Sequence, residues 1–266
     1  MTIDSEHNTY GRFHLLYARK PVNLPQLVQE LFKVRVMKDK GRGGIRMLTL
    51  NNRRLISRLY RHGGIFRAFT RDLFLSNTRG LREIEILNHL SERGFPVVEP
   101  FCLIEERGIL FSRLYLFTIY EENAVDFLSY LRGASQAKRM RLIKALATAL
   151  WNLEHLGVYH PDLHIQNILV SEERGLVFLD FDKARMKEMT GKDMEKMLWR
   201  LNRYVEKMHA EGIITVSMKE KLLFLRMYKK LSQHNIISSM AKKLGRKEYM
   251  YRIGWYFEKL FYGGKK

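Results

Sequence analysis

Apolar positions along this chain follow two rhythms, and the change from one to the other divides it. The first half is paced mainly as strands. Leu31–Met37 and Ile45–Leu50 flank a turn at Lys38-Asp39-Lys40-Gly41-Arg42-Gly43-Gly44, and Asn51-Asn52 then leads into Leu55–Tyr60, which predicts three strands. Helical spacing takes over in residues 79–93, where Leu81, Ile84, Leu87 and Leu90 form one stripe and Gly94 acts as the stop. Pro96 and Pro100 bracket an extended stretch before two further strands, near Phe101–Glu105 and Leu114–Tyr120.

Beyond that point the 3.6-residue period dominates. Residues 136–156 predict a strong amphipathic helix, with Met140, Ile143, Leu146, Ala147, Leu150 and Leu153 on one face and Gly157 ending it. Two short apolar runs, Ile168–Val170 and Leu176–Leu179, read as strands, and from about Asp193 the chain reads as helices. Met186, Met189, Met194 and Met197 are expected to pack on a helix face, because methionine fills irregular gaps. The expected fold class is α+β with two lobes: a small antiparallel β-sheet lobe carrying one helix, residues 1–120, and a larger, mostly helical lobe, residues 121–266. The joint falls near Tyr120–Asn123.

Composition narrows the function. With 266 residues, 46% of them hydrophobic, the chain can bury one large core or two. A lone cysteine, Cys102, excludes an internal disulfide framework and fits a reducing compartment. The polar start MTIDSEHNTY predicts no secretory leader, and no apolar run reaches the roughly 18 residues that a membrane span needs. Lys and Arg total 47 against 28 acids, a formal net charge of +19. Such a field attracts polyanions. Zinc-ligand spacing, an RNP-like aromatic motif and a helix-turn-helix are all missing, so nucleic acid is not the expected partner.

The densest chemistry lies in residues 159–182, YHPDLHIQNILVSEERGLVFLDFD. Asp162 sits in a loop after a helix, and Asn167 opens the first apolar run. Asp180 closes the second run, and if the two runs form a hairpin Asn167 and Asp180 become neighbours. Phosphoryl transfer needs such a set: one carboxylate to receive a hydroxyl proton, and hard oxygen ligands for the metal ions on nucleotide phosphates.

HPDLHIQN resembles the HRDLxxxxN catalytic loop of protein kinases, and LDFD resembles the strand ending in DFG. YHPDLHIQNILV together with LDFDKAR is more similar to the bacterial lipopolysaccharide core kinases, a likeness extending over about residues 35–205. The resemblance implies a protein-kinase-like fold, ATP as phosphoryl donor and Mg²⁺ on Asn167 and Asp180, with Asp162 as the catalytic carboxylate. It places Arg58 where protein kinases carry the strand-three lysine, with Arg61 as the other candidate. Glu83 of REIEIL becomes the helix glutamate that pairs with it, with Glu85 as rival. Gly41, Gly43 and Gly44 of KGRGG lie where a phosphate-covering loop belongs, although the full GxGxxG pattern is missing and the segment also reads as an ordinary hairpin turn. Asp182 replaces the DFG glycine; it could contact metal, or pair with Lys183 or Arg185. His160 braces the loop. His164 stands where many kinases carry a lysine that touches the transferred phosphate.

The resemblance further implies an acceptor hydroxyl on 3-deoxy-D-manno-octulosonic acid (Kdo) in Kdo-lipid A, or on a related anionic glycolipid. Such a substrate would be met at an anionic membrane surface, on the cytoplasmic side of the bacterial inner membrane. Residues 246–266, RKEYMYRIGWYFEKLFYGGKK, interleave bases with aromatics and read either as an interfacial helix or as a last helix packed on the second lobe. Two other readings remain open: a protein or small-molecule kinase on the same lobes, and a non-catalytic kinase-like protein that binds membranes.

Overall fold

The computed structural model describes residues 8–37, 44–62, 72–232, 234 and 236. The chain divides into two compact units, Met1–Glu122 and Asn123–Lys266. With six α-helices and antiparallel sheets among the described residues, it is α+β. Gly41, Gly43 and the 246–266 segment lie outside the described residues.

The first unit opens with strands β1 (Thr9–Tyr10) and β2 (Phe13–Ala18), helix α1 (Leu24–Lys33), and strands β3 (Ile45–Leu50) and β4 (Arg53–Leu59). Helix α2 (Thr78–Glu92) and strands β5 (Pro100–Arg107) and β6 (Ser112–Ile119) complete it. Its six strands run antiparallel in the order β1-β2-β5-β6-β4-β3. Both faces of β5 are covered, as period-two alternation requires. Cys102 and Ile104 join the cluster that Leu24, Leu27, Val28 and Leu31 of α1 form with the sheet, while Leu103 meets Gly80 of α2. A Cβ on Gly80 would come within 2.9 Å of Leu103, so a glycine lets α2 lie close to the sheet.

Two expectations fail in this unit. Leu31–Met37 is not a strand: α1 runs through Lys33, and only Met37 bridges to Ile45. The helix is started by Asn23, whose side chain accepts the Gln26 N–H at 3.1 Å, and by Pro25 in the first turn. Four apolar residues at helical spacing then outweigh the β-prone tail. In α2, Leu81 is 39% exposed, and the buried stripe is completed by Gly80 and Glu83 instead.

The second unit carries β7 (Ala124–Asp126), α3 (Phe127–Gly133), α4 (Gln136–His155), β8 (Val158–Tyr159), β9 (Ile168–Ser171), β10 (Gly175–Phe178), β11 (Arg185–Met186), α5 (Gly191–Ala210) and α6 (Met218–Leu231). Side-chain caps start each of its helices: Asp126, Ser135, Thr190 and Ser217 accept from backbone N–H groups, the last two in full capping boxes. Arg139 of α4 ties the caps together. It donates to Glu220 at 2.6 Å and to the carbonyls of Leu131 and Thr215 at 2.7 Å. Met194 and Met197 are buried in α5 as expected, but Met186 lies in β11 and is 40% exposed. A two-residue strand has no helix face to bury it against.

Candidate active site

Two strand pairs frame the loops that carry Asp162, Asn167 and Asp180. β9 and β10 form a hairpin with Ile168 opposite Phe178, and β11 returns to pair with β8, Arg185 opposite Tyr159. Residues 160–167 and 179–184 are thus each held at both ends by the same two pairings. Gly157 makes the second closure possible. Its φ of +67° suits glycine, its carbonyl accepts from Lys187 N–H at 2.8 Å, and a Cβ there would lie 3.0 Å from the Lys187 carbonyl.

Contacts between the loops fix their register. The Leu179 N–H donates to the Asn167 carbonyl at 2.8 Å, which sets Asn167 beside the residue preceding Asp180. Asp180 adopts φ +60°, a left-handed conformation uncommon outside glycine and concentrated at functional sites. The His160 ring packs against Phe181, centroids 4.9 Å apart. Burial pushes the His160 imidazole down to about 4, against the opposing pull of Asp180 and Asp162, so it is neutral near pH 7. It braces the loop as a ring rather than as a charge.

Asp162 is gripped by two cations. The Lys183 ammonium donates to Oδ2 at 2.9 Å, and Nη2 of Arg200, from α5, makes a short contact with Oδ1. Burial pushes the Asp162 carboxyl up, but the Lys183 hydrogen bond and the Arg200 charge outweigh it and hold the group at about 2. Arg200 lies over the Tyr204 ring at 5.1 Å, and His164 stacks on the same ring at 4.3 Å. Position 164 thus offers an imidazole laid on an aromatic ring, while the ammonium beside Asp162 comes from Lys183. From sequence alone Lys183 is, like Arg185, only a candidate partner for Asp182. Arg200 carries no local sequence signal, since it lies 38 residues beyond Asp162 and only the tertiary fold joins them.

The first unit holds the remaining residues. Arg58 lies on β4 and Glu83 on α2, where the carboxylate is 1% exposed. Arg58 Nη2 donates to both Glu83 oxygens at 2.6 Å, and the Tyr60 hydroxyl donates to Oε2 at 2.5 Å. The guanidinium also lies 4.9 Å from the Tyr60 ring centroid. Glu85 is exposed, and the Arg61 carbonyl accepts from Arg79 at 3.2 Å. Gly44, the first described residue after position 37, lies near Val36.

Asn167 and Asp180 supply hard oxygens of the kind Mg²⁺ takes from proteins, one or two groups with the rest from water and phosphate. Residues of these two types are compatible with that ion. No cluster of three or more His, Cys, Asp or Glu side chains suited to a metal occurs among the described residues.

Comparison with known proteins defines the class: the protein is a kinase. The model of the lipopolysaccharide kinase (Kdo/WaaP) family matches residues 30–228, and the chain belongs to that family. It is similar to the 3-deoxy-D-manno-octulosonic acid kinase of Vibrio vulnificus strain CMCP6, 29% identical over 190 residues that cover 67% of this chain and 79% of the relative. The protein of that name from Pasteurella multocida is 31% identical over 133 residues, covering 47% and 55%. That of Xylella fastidiosa strain 9a5c is 24% identical over 183 residues, covering 67% and 72%.

Proposed function

We propose that this protein transfers the terminal phosphoryl group of ATP to a hydroxyl of Kdo in the inner core of lipid A. One observation carries the reading: the two loops bearing Asp162, Asn167 and Asp180 are pinned by the same two strand pairs. The names of the similar proteins supply the acceptor.

Asp162 orients the acceptor hydroxyl. A carboxylate held at about 2 is a poor base in the ground state, so it accepts the proton late, once the acceptor oxygen has begun to bond to the phosphorus and the bond to ADP is breaking. Lys183 and Arg200 keep Asp162 ionised and offer positive charge beside it to an acidic acceptor or the departing phosphoryl group. Asn167 and Asp180 would hold Mg²⁺, which when bound neutralises phosphate charge. Arg58, fixed by Glu83, and the segment with Gly41, Gly43 and Gly44 are assigned to the nucleotide phosphates. In a protein-kinase-like, two-lobed reading, residues 1–120 serve the nucleotide and residues 121–266 carry the transfer chemistry. The anionic membrane surface and a peripheral place on the inner membrane's cytoplasmic face follow from the glycolipid substrate and the net charge of +19.

Incubation with Mg-ATP and Kdo-lipid A, read by mass spectrometry, tests this. One added phosphate on the glycolipid is expected. An unmodified glycolipid, with phosphate found instead on a protein or an aminoglycoside offered in parallel, overturns the assigned acceptor.

A further inference from the structure

The three most exposed large apolar side chains among the described residues stand at one end of the first unit's sheet. They are Ile109 at 102%, Leu75 at 83% and Leu110 at 75%. Ile109 and Leu110 form the tip of the β5–β6 hairpin, with Phe111, 38% exposed, beside them. The turn is built rather than loose. The Gly108 N–H donates to the Phe111 carbonyl at 2.8 Å, and a Cβ at Gly108 would lie 2.8 Å from that oxygen. Leu75 is brought alongside by the preceding residue. Phe74 exchanges two backbone hydrogen bonds of 2.8 Å with Ser112 and buries its ring, so alternation turns Leu75 outward.

Charge around the tip is sorted by depth. The Arg12 guanidinium, 64% exposed, meets Glu106, 5% exposed, at 2.6 Å, and Arg107, 52% exposed, meets Glu105, 6% exposed, at 2.9 Å. Arg113 reaches Asp72 at 2.9 Å and Glu106 at 3.7 Å. Glu105 and Glu106, on opposite faces of β5, are buried, while the arginines that pair with them are largely exposed. A bare apolar tip ringed by outward arginines suits one surface above others: acyl chains take the tip and lipid phosphates take the guanidiniums. A folded protein partner would want the tip in a pocket and its polar rim matched in detail. The chain's net charge of +19 adds a long-range pull toward an anionic surface.

We propose that the β5–β6 tip, with Leu75 beside it, is a membrane anchor that inserts into the headgroup boundary of an anionic bilayer while Arg12, Arg107 and Arg113 contact its phosphates. The proposal rests on the membrane-surface part of the reading above and not on its transfer chemistry. The test therefore uses vesicles that contain no sugar acceptor.

The full chain is floated with phosphatidylethanolamine–phosphatidylglycerol vesicles and, in parallel, with phosphatidylcholine vesicles. Binding to the anionic vesicles that weakens in high salt is expected. The variant Leu75→Ser/Ile109→Ser/Leu110→Ser should bind them roughly thirtyfold less, with its thermal melt unchanged because these side chains are exposed. A second readout needs no comparison of affinities. Burial pushes the Cys102 thiol well up and leaves it inert, so a polarity-sensitive dye on Leu110→Cys reports the tip alone. Its emission should shift to the blue with anionic vesicles and be quenched by brominated acyl chains. Equal flotation of wild type and triple variant overturns the tip as anchor while leaving membrane binding to another segment. Failure of the wild type to float overturns both. Dissociation of a dimer by the triple variant, with flotation unchanged, would show that the tip pairs two copies instead.

Discussion

Glu83 and Asp162 are both carboxylates held by cations, yet they are built in opposite ways. Glu83 belongs to a helix, is 1% exposed, and receives Arg58 from β4 and Tyr60 from just after that strand. Asp162 belongs to a loop, is 19% exposed, and receives Lys183 from a second loop and Arg200 from a helix. A buried ion pair depends on both partners, because removing one strands a desolvated charge. A partly exposed carboxylate with two cations can exchange one of them for a substrate at little cost to folding. The first arrangement fixes a guanidinium in place. The second leaves a charged group available for chemistry.

Several substitutions break or sharpen that contrast. Among these, the largest effect should come from Asp180, proposed above as a metal ligand. Asp180→Ala should lower phosphoryl transfer by roughly 10³-fold and also weaken Mg-ATP binding, measured by titration calorimetry. Next is the buried pair. Arg58→Met should destabilise the protein by about 3 kcal/mol, seen as a lower urea midpoint, because it leaves Glu83 buried without its guanidinium. Lys183→Met tests the other side of the comparison. It should change the urea midpoint by less than about 0.5 kcal/mol equivalent, yet slow transfer by roughly tenfold. An equal loss of stability in the two methionine variants would erase the distinction between them.

The smallest predicted effect concerns acid. The folded Asp162 titrates at about 2, below its ordinary value of 3.8. Its stabilising contribution is therefore complete above the ordinary value and is lost as pH falls from there through 2. Its protonation cannot produce an acid limb in activity between pH 5 and 8. In Lys183→Met the carboxyl moves back toward its ordinary value, so circular dichroism should find acid unfolding starting about half a pH unit higher.

The sequence revealed the parts of this comparison unevenly, and the reasons are physical. Helix α4 was legible because its apolar residues keep the 3.6 period and Gly157 stops it. The hairpin joining Asn167 to Asp180 was legible from two short apolar runs around a turn. Helix α1 was not, because Val34, Val36 and Met37 imitate a strand just after it ends, whereas the decisive signals, Asn23 and Pro25, stand before it. β1 and β2 were missed because a two-residue strand and a partly exposed one carry little pattern. The pairing of Arg58 with Glu83 could be anticipated only through the likeness to kinases. Arg200 could not be anticipated at all. Its meeting with Asp162 depends on how α5 packs against the loop, which no spacing in the chain encodes.

The division of labour within the second unit is tested most directly by Asp162→Ala. Transfer from Mg-ATP to Kdo-lipid A should fall at least roughly 10³-fold, while Mg-ATP affinity, measured on the same preparation, stays at the wild-type value. Full transfer by a folded Asp162→Ala protein would contradict the account, and so would loss of nucleotide binding as large as that caused by Asp180→Ala.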